Sequence, residues 1–285
     1  MTSGLQARLT AQFDGKSHKD SMTLQTPLKL IERNELTTQA IASPAQSKNF
    51  KLKKVKLDQF PDVSLYGANL YELYKLHGTN TGLNLESESG NIIKLTGAIN
   101  VESLKRTTIY FRGKSNSIII NDLKNVHKLD MACADGSSIS IKAPKTVRGM
   151  VLFSSHGGQI EIGADCMISQ DVLIYASRAH GLYSVADGKR RYKDGVVVGD
   201  HVWLGKGTRI LAGATVGDGS VIGSYSVLAG RVPNNCAAAG NPCRVTTKNI
   251  FWVSTPVADD GNYFEMLKKT GKPVPKFVRP TEDGH

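Results

Sequence analysis

Aliphatic residues return at every sixth position through the second half of the chain, at Val198, Leu204, Ile210, Val216, Ile222 and Leu228, and glycine follows four of the six. A six-residue period fits the alternation of a strand and is out of phase with the helical period of about 3.6, so a single amphipathic helix is excluded. Each hexapeptide predicts a short strand with its aliphatic side chain turned inward, followed by a tight turn that Gly, Asn or Asp permits. Three such units close a triangular coil of 18 residues. No coil buries its aliphatic face alone, so the pattern predicts an all-β solenoid whose coils stack at the usual strand spacing of ~4.8 Å.

Upstream, Ile162, Ile168 and Ile174 keep the phase, and the 24 residues from 174 to 198 amount to one hexapeptide plus 18 additional residues. The excess predicts an inserted loop over 176–195, polar and basic, with Arg178, His180, Lys189, Arg190, Arg191 and Lys193. Further back, SNSIII, GSSISI and GGQIEI recur 21 residues apart, with GNIIKL as an earlier member, and predict irregular coils. The solenoid is therefore expected over 90–245. Residues 1–89 are left as an unassigned N-terminal cap or arm, with a basic patch at Lys51, Lys53, Lys54 and Lys56. Residues 246–285 read as a C-terminal tail, in which FEMLKK starts a short helix and the Pro-rich end after Lys272 is extended.

Composition narrows the class. Among 285 residues, 28 Gly against 7% aromatics favour many short turns, and 40% hydrophobic residues suffice for a sizeable core. The net charge of +11 suits an acidic partner, whether nucleic acid, anionic membrane, polyanionic glycan or phosphorylated cofactor. Met1 to Asp20 has no apolar run of the secretory kind and nowhere do 18 apolar residues follow one another, which leads to the expectation of a cytoplasmic chain without a membrane span. Cys133, Cys166, Cys236 and Cys243 form no CxxC pair and are expected as small core residues.

IGADCMISQDVLIYASRAH, an interrupting basic loop, then VVVGDHVWLGKGTRILAGATVGDGSVIGSYSVLAGRVPNNCAAAGNPCRV resembles the hexapeptide-repeat acyltransferases. The resemblance covers about 90 residues, and CMIS, SRAH and the later NIFW are most similar to the O-acetyltransferases of capsular and other surface polysaccharides. It implies a left-handed parallel β-helix, acetyl-CoA as donor, a sugar hydroxyl as acceptor and a homotrimer with its CoA grooves between neighbouring prisms. The charge tilts the expected acceptor toward an acidic glycan. A small-molecule O-acetyltransferase of the galactoside, maltose or antibiotic type, and a non-catalytic scaffold, stay open as alternatives.

A sugar hydroxyl needs a base to attack a thioester at neutral pH, and an imidazole, with an ordinary pKa of about 6.5, can take its proton. His180, in SRAH at the start of the loop, is the expected base, and direct transfer is expected because no Ser or Cys sits in a GxSxG-type elbow. The oxyanion is expected to meet a backbone N–H near Gly205 or Ala212. By resemblance, Trp203, a large aromatic in place of a small turn residue, lines the acceptor and thioester site, and CoA contacts fall at Lys206, Ser224, Ala229, Gly230 and Arg244. Arg231 and Lys248 are further candidates for the nucleotide phosphates. His156, Asp171, Arg190 and Arg191 are weaker candidates for acceptor contact. GKGTR, similar to a nucleotidyltransferase loop, is explained by the repeat register. The zinc type of this solenoid needs closely spaced His ligands that the chain lacks, so neither a metal nor a nucleic acid partner is expected.

Overall fold

The computed structural model describes residues 55–56, 68–87, 89–177, 180–191, 195–254 and 261–282, all within one compact unit, Gln46–His285. The expectations for Lys51, Lys53, Lys54, Arg178 and Lys193 lie outside the described residues. Three sheets form the sides of a left-handed parallel β-helix of about six turns.

The first sheet runs through Gly82–Glu86, Ile92–Ile99, Ser117–Leu123, Ser138–Lys142, Gln159–Ile162, Val196–Val198, Thr215–Val216 and Arg231–Val232. The second stacks Thr107–Arg112, Leu129–Ala134, Met150–Ser154, Val172–Tyr175, Arg209–Ile210 and Val227–Leu228. The third stacks Thr146–Val147, Met167–Ile168, Trp203–Leu204, Val221–Ile222 and Cys236–Gly240. From Ser138–Lys142 onward the chain visits them in the order first, third, second, so each of these coils contributes one strand to every side.

The inward positions are those of the six-residue phase. Ile162 pairs with Val198, Ile168 with Leu204 and Ile174 with Ile210, and each is at most 2% exposed. Partners lie 21 residues apart in the early coils, as at Ser117, Ser138 and Gln159, and 18 apart at Val197 and Thr215. The longer coils have longer strands, five to seven residues against two or three, and so larger sides.

Glycine after the inward aliphatic answers to close stacking. A Cβ on Gly205 would lie 2.6 Å from the Ser224 nitrogen and 2.8 Å from the Ile222 oxygen of the next coil. Buried polar side chains bind other corners: Asn116, fully buried, donates to Asn91 Oδ1 and to the Arg112 carbonyl and accepts from the Ser137 N–H. Antiparallel strands close both ends of the prism, which keeps unpaired edges off the surface. Gly82–Glu86 covers Ile92–Ile99 at one end, beside the helix Leu70–His77 whose Leu70 and Leu73 join the core. At the other, the chain turns at Asn241–Pro242 and Cys243–Lys248 runs back along Cys236–Gly240.

The inserted loop leaves after Tyr175 and is closed at its root by the Gly195 N–H on the Ala176 carbonyl at 2.6 Å. Inside it a small hairpin bridges Tyr183 and Arg190. After residue 248 the chain returns along the prism and carries the helix Tyr263–Thr270, capped by Asn262 and ended by Gly271 at φ 63°. Asn235 Nδ2 donates to the Ile250 and Phe277 carbonyls, and Asn234 Nδ2 to that of Pro280, so the proline-rich end is pinned to the last coils. All four cysteines are buried.

Candidate active site

Corners of the prism decide which candidate residues can meet. The edge between the second and first sheets carries, coil after coil, the turn at His156, the inserted loop with His180, the turn at Ala212 and the turn at Ala229–Gly230. The edge between the third and second sheets carries Asp171, Lys206 and Ser224 in successive coils. There the Gly207 N–H donates to the Gln170 carbonyl at 2.9 Å and the Tyr225 N–H to the Lys206 carbonyl at 2.7 Å. Trp203 pairs with Met167 and Val221 and stands outward on the third side. Arg244 lies on the antiparallel strand that closes that side. The edge from which the His180 loop departs is the one opposite the side bearing Trp203.

At the loop's root the polar contacts are dense. Ser177, three residues before His180, accepts at Oγ from the Ser155 N–H at 2.9 Å, and the two hydroxyls meet at 2.7 Å. Both are buried, at 5% and 3% exposure, so the hydrogen bonds satisfy groups that water does not reach. His156, in the positive-φ turn at 54°, brings Nδ1 to 2.9 Å from Ser155 Oγ and 3.9 Å from Asp135 Oδ2. These contacts tie the start of the loop to the preceding coil. His180 itself is exposed.

Beside that root, on the outer face of the first sheet, lies a depression of about 270 Å³ lined by Gly157, Gly158, Gln159, Glu161, Gly195 and Thr215, among others. Ligand pockets run from about 300 to 1,000 Å³, so this face by itself falls short of an enclosed site. His156 stands one residue from its rim.

Several expectations change. Trp203 occupies an outward strand position, not a turn, because the two-residue strand starts at it. The Gly205 N–H is taken by the Ile222 carbonyl at 2.8 Å as part of coil stacking, which removes it as an oxyanion donor. Arg191 is engaged inside the hairpin, its guanidinium on both Asp187 oxygens at 3.0 Å and on Ser184 Oγ at 2.8 Å. The Ser184 hydroxyl, then the Lys189 N–H and Arg191, hold the Asp187 carboxyl below the usual range. Arg209, at the outward position of the strand that follows this edge, donates to the Asp171 carbonyl. Lys206, Ser224, Ala229, Gly230, Arg231, Arg244 and Lys248 are all exposed, which suits residues that meet a long polar donor.

Two groups escaped the sequence reading. Ser155 lies beside His156 and Ser177 opens SRAH, and neither hydroxyl is announced by a period or a spacing. His201, in the turn after Asp200, is 5% exposed and stacks between Trp252 and Phe277, with ring centroids at 4.0 and 3.6 Å. The one available hint was Trp252 itself, in the NIFW motif.

The profile described as "Bacterial transferase hexapeptide (six repeats)" matches residues 195–230. A polysialic acid O-acetyltransferase of Escherichia coli O1:K1 / APEC is 33% identical over 133 residues, 46% of this chain and 43% of that protein, so the chain spans less than half of this relative. A polysialic acid O-acetyltransferase of Neisseria meningitidis is 30% identical over 151 residues, 50% of this chain and 70% of the relative. The crystal structure of the polySia-specific acetyltransferase NeuO aligns with a TM-score of 0.48 at 28% identity, over 63% of this chain and 76% of that one. Given the six-repeat match and the 70% of the Neisseria protein that it covers, the chain belongs to the hexapeptide-repeat acetyltransferase family.

Proposed function

We propose that the protein transfers an acetyl group from acetyl-CoA to a hydroxyl of a surface polysaccharide, with an acidic glycan as the favoured acceptor. The observation that carries this reading is the interrupted coil. Ile160 pairs with Val196, 36 residues on, where neighbouring coils need 18 to 21, and the excess carries His180 out from a buttressed root onto the same edge as Ala212 and Ala229–Gly230. Relatives that act on polysialic acid, together with the +11 charge, support an anionic acceptor.

In the proposed step, the neutral His180 imidazole takes the proton of the acceptor hydroxyl as its oxygen attacks the thioester carbonyl. The tetrahedral oxyanion is held at the Ala212 turn, on the same edge. Collapse breaks the carbon–sulfur bond, the imidazolium returns its proton to the departing CoA thiolate, and the acetate ester remains on the sugar. CoA lies along the edge of Ala229 and Gly230 of one copy, with Arg244 of a neighbouring copy toward the phosphates.

Trp203, Lys206, Ser224 and Arg244 lie on the other side of the prism from the His180 edge, so one chain holds two halves of the proposed site that do not face each other. We therefore propose a homotrimer in which the His180 edge of one copy faces the Trp203 side of the next.

His180→Ala is expected to lower the acetylation rate by about 10²–10⁴ while acetyl-CoA still binds. A variant with the full rate would sink this reading. Acetyl-CoA consumption against polysialic acid, neutral polysaccharides and monosaccharides identifies the acceptor. Preference for a polyanion is expected to weaken as salt rises.

A further inference from the structure

The returning C-terminal segment reaches Trp203, on the third side of the prism, through Trp252. Trp203 is 36% exposed, and its backbone is fixed by pairing with Met167 and Val221. Its indole has weaker support. Nε1–H reaches Ser169 Oγ at 3.4 Å, near the limit of a hydrogen bond, and the Trp252 ring lies 6.0 Å away at 49°.

Trp252 is far more constrained. It is 7% exposed, donates Nε1–H to the His201 carbonyl at 2.9 Å and stacks on the His201 ring at 4.0 Å and 9°. The imidazole is sandwiched from the other side by Phe277 at 3.6 Å. Its Nδ1 lies 2.6 Å from Asp165 Oδ2 and its Nε2 lies 3.0 Å from the Trp252 carbonyl. One indole is thus locked by its own hydrogen bond and a three-ring stack whose imidazole also bonds the Trp252 carbonyl, and it lies tilted against another that has a single long hydrogen bond.

We propose that Trp252, held by His201, is a positioning residue for Trp203, so that the C-terminal segment sets the orientation of the indole presented to the acceptor. This rests on the reading of Trp203 as an acceptor-side residue. Docking of the segment does not depend on Trp252 alone. Asn234 and Asn235 hold Pro280, Ile250 and Phe277, Thr281 bonds to Asn249, and Arg279 pairs with Asp218 at 3.1 Å. A rotamer change of Trp203 costs little by itself, because staggered wells differ by small energies, and a neighbouring ring therefore suffices to choose among them.

Both tryptophans of the chain belong to this cluster, so intrinsic emission reads it without background. Replacing Trp252 leaves Trp203 as the sole tryptophan, read apart from the tyrosines by excitation at the red edge of the absorption band. In the full-length protein, iodide quenching of Trp203 is expected to be at least about twofold stronger in Trp252→Leu than in Trp252→Phe, where a ring still fills the place. The KM for the glycan is expected to rise about tenfold in Trp252→Leu, with the KM for acetyl-CoA within about twofold and Trp252→Phe restoring most of the loss. His201→Gln is expected to act in the same direction, more weakly.

Equal quenching in the two variants, or KM values for both substrates rising together with a lowered Tm, would reduce Trp252 to a packing residue and overturn the proposal. Failure of the reading beneath it looks different: Trp203→Ala would leave the acceptor KM unchanged, or the wild type would acetylate no glycan. In that case the quenching comparison still decides whether Trp252 orients Trp203.

Discussion

At the scale of single residues, burial determines what the cysteines can do. Desolvation pushes the thiols of Cys133 and Cys166 up to about 12, so neither serves as a nucleophile near neutrality. The consequence for stability has a definite sign. Unfolded thiols ionise near pH 8.5 to 9, whereas the folded ones keep their protons to about 12. Between those limits the unfolded chain holds fewer protons, so stability falls as pH rises, at up to about 1.4 kcal/mol per pH unit for each thiol. Urea melts between pH 9.5 and 11 are expected to show a shallower loss in the Cys133→Ala/Cys166→Ala protein than in the wild type, and parallel curves would refute the assignment. The small-core reading of Cys166 was available from its place where apolar residues recur. That of His201 was not: its stacking partners, Trp252 and Phe277, lie 51 and 76 positions away, and no local pattern reports on a chain that folds back.

At the scale of the element, the hexapeptide was legible because each of its positions answers to one constraint. The aliphatic residue fills the prism, and the glycine after it lets the next coil approach. Gly205 and Gly230 test this directly. A Cβ at Gly205 meets the next coil's backbone at 2.6 and 2.8 Å, while one at Gly230 meets nothing within 4 Å. Gly205→Ala is expected to cost about 1–3 kcal/mol in denaturant melts and Gly230→Ala less than about 0.5 kcal/mol. Equal effects would mean that stacking is looser than the distances indicate. The outward positions obey no such rule, which is why Trp203 was read as a turn residue and proved to begin a strand. The same holds for the turns. The length of the insertion followed from the broken phase, but the hairpin inside it depends on the pairing of Arg191 with Asp187 and on backbone bonds that no periodicity announces.

At the scale of the whole molecule, the separation of the His180 edge from the Trp203 side makes a prediction about assembly. If each site takes its base from one copy and its tryptophan from the next, His180→Ala and Trp203→Ala chains, each impaired alone, complement one another when co-refolded. Random mixing in a trimer rebuilds both halves at about one interface in four, so activity near a quarter of wild type is expected, above that of either variant. No gain on mixing, or a monomer by light scattering, would overturn a site shared between copies. The solenoid, its three sides, the interruption at 176–195 and the imidazole it carries could be read from the residues alone, since they arise from a short repeat in which every coil contacts only its neighbours. Which residues share an edge, how Ser155 buttresses the loop root and how Trp252 and Phe277 come to rest against His201 depend on contacts between distant parts of the chain. Those contacts follow from the number of residues in each coil and from the path of the returning segment, and they exist only once the coils are stacked.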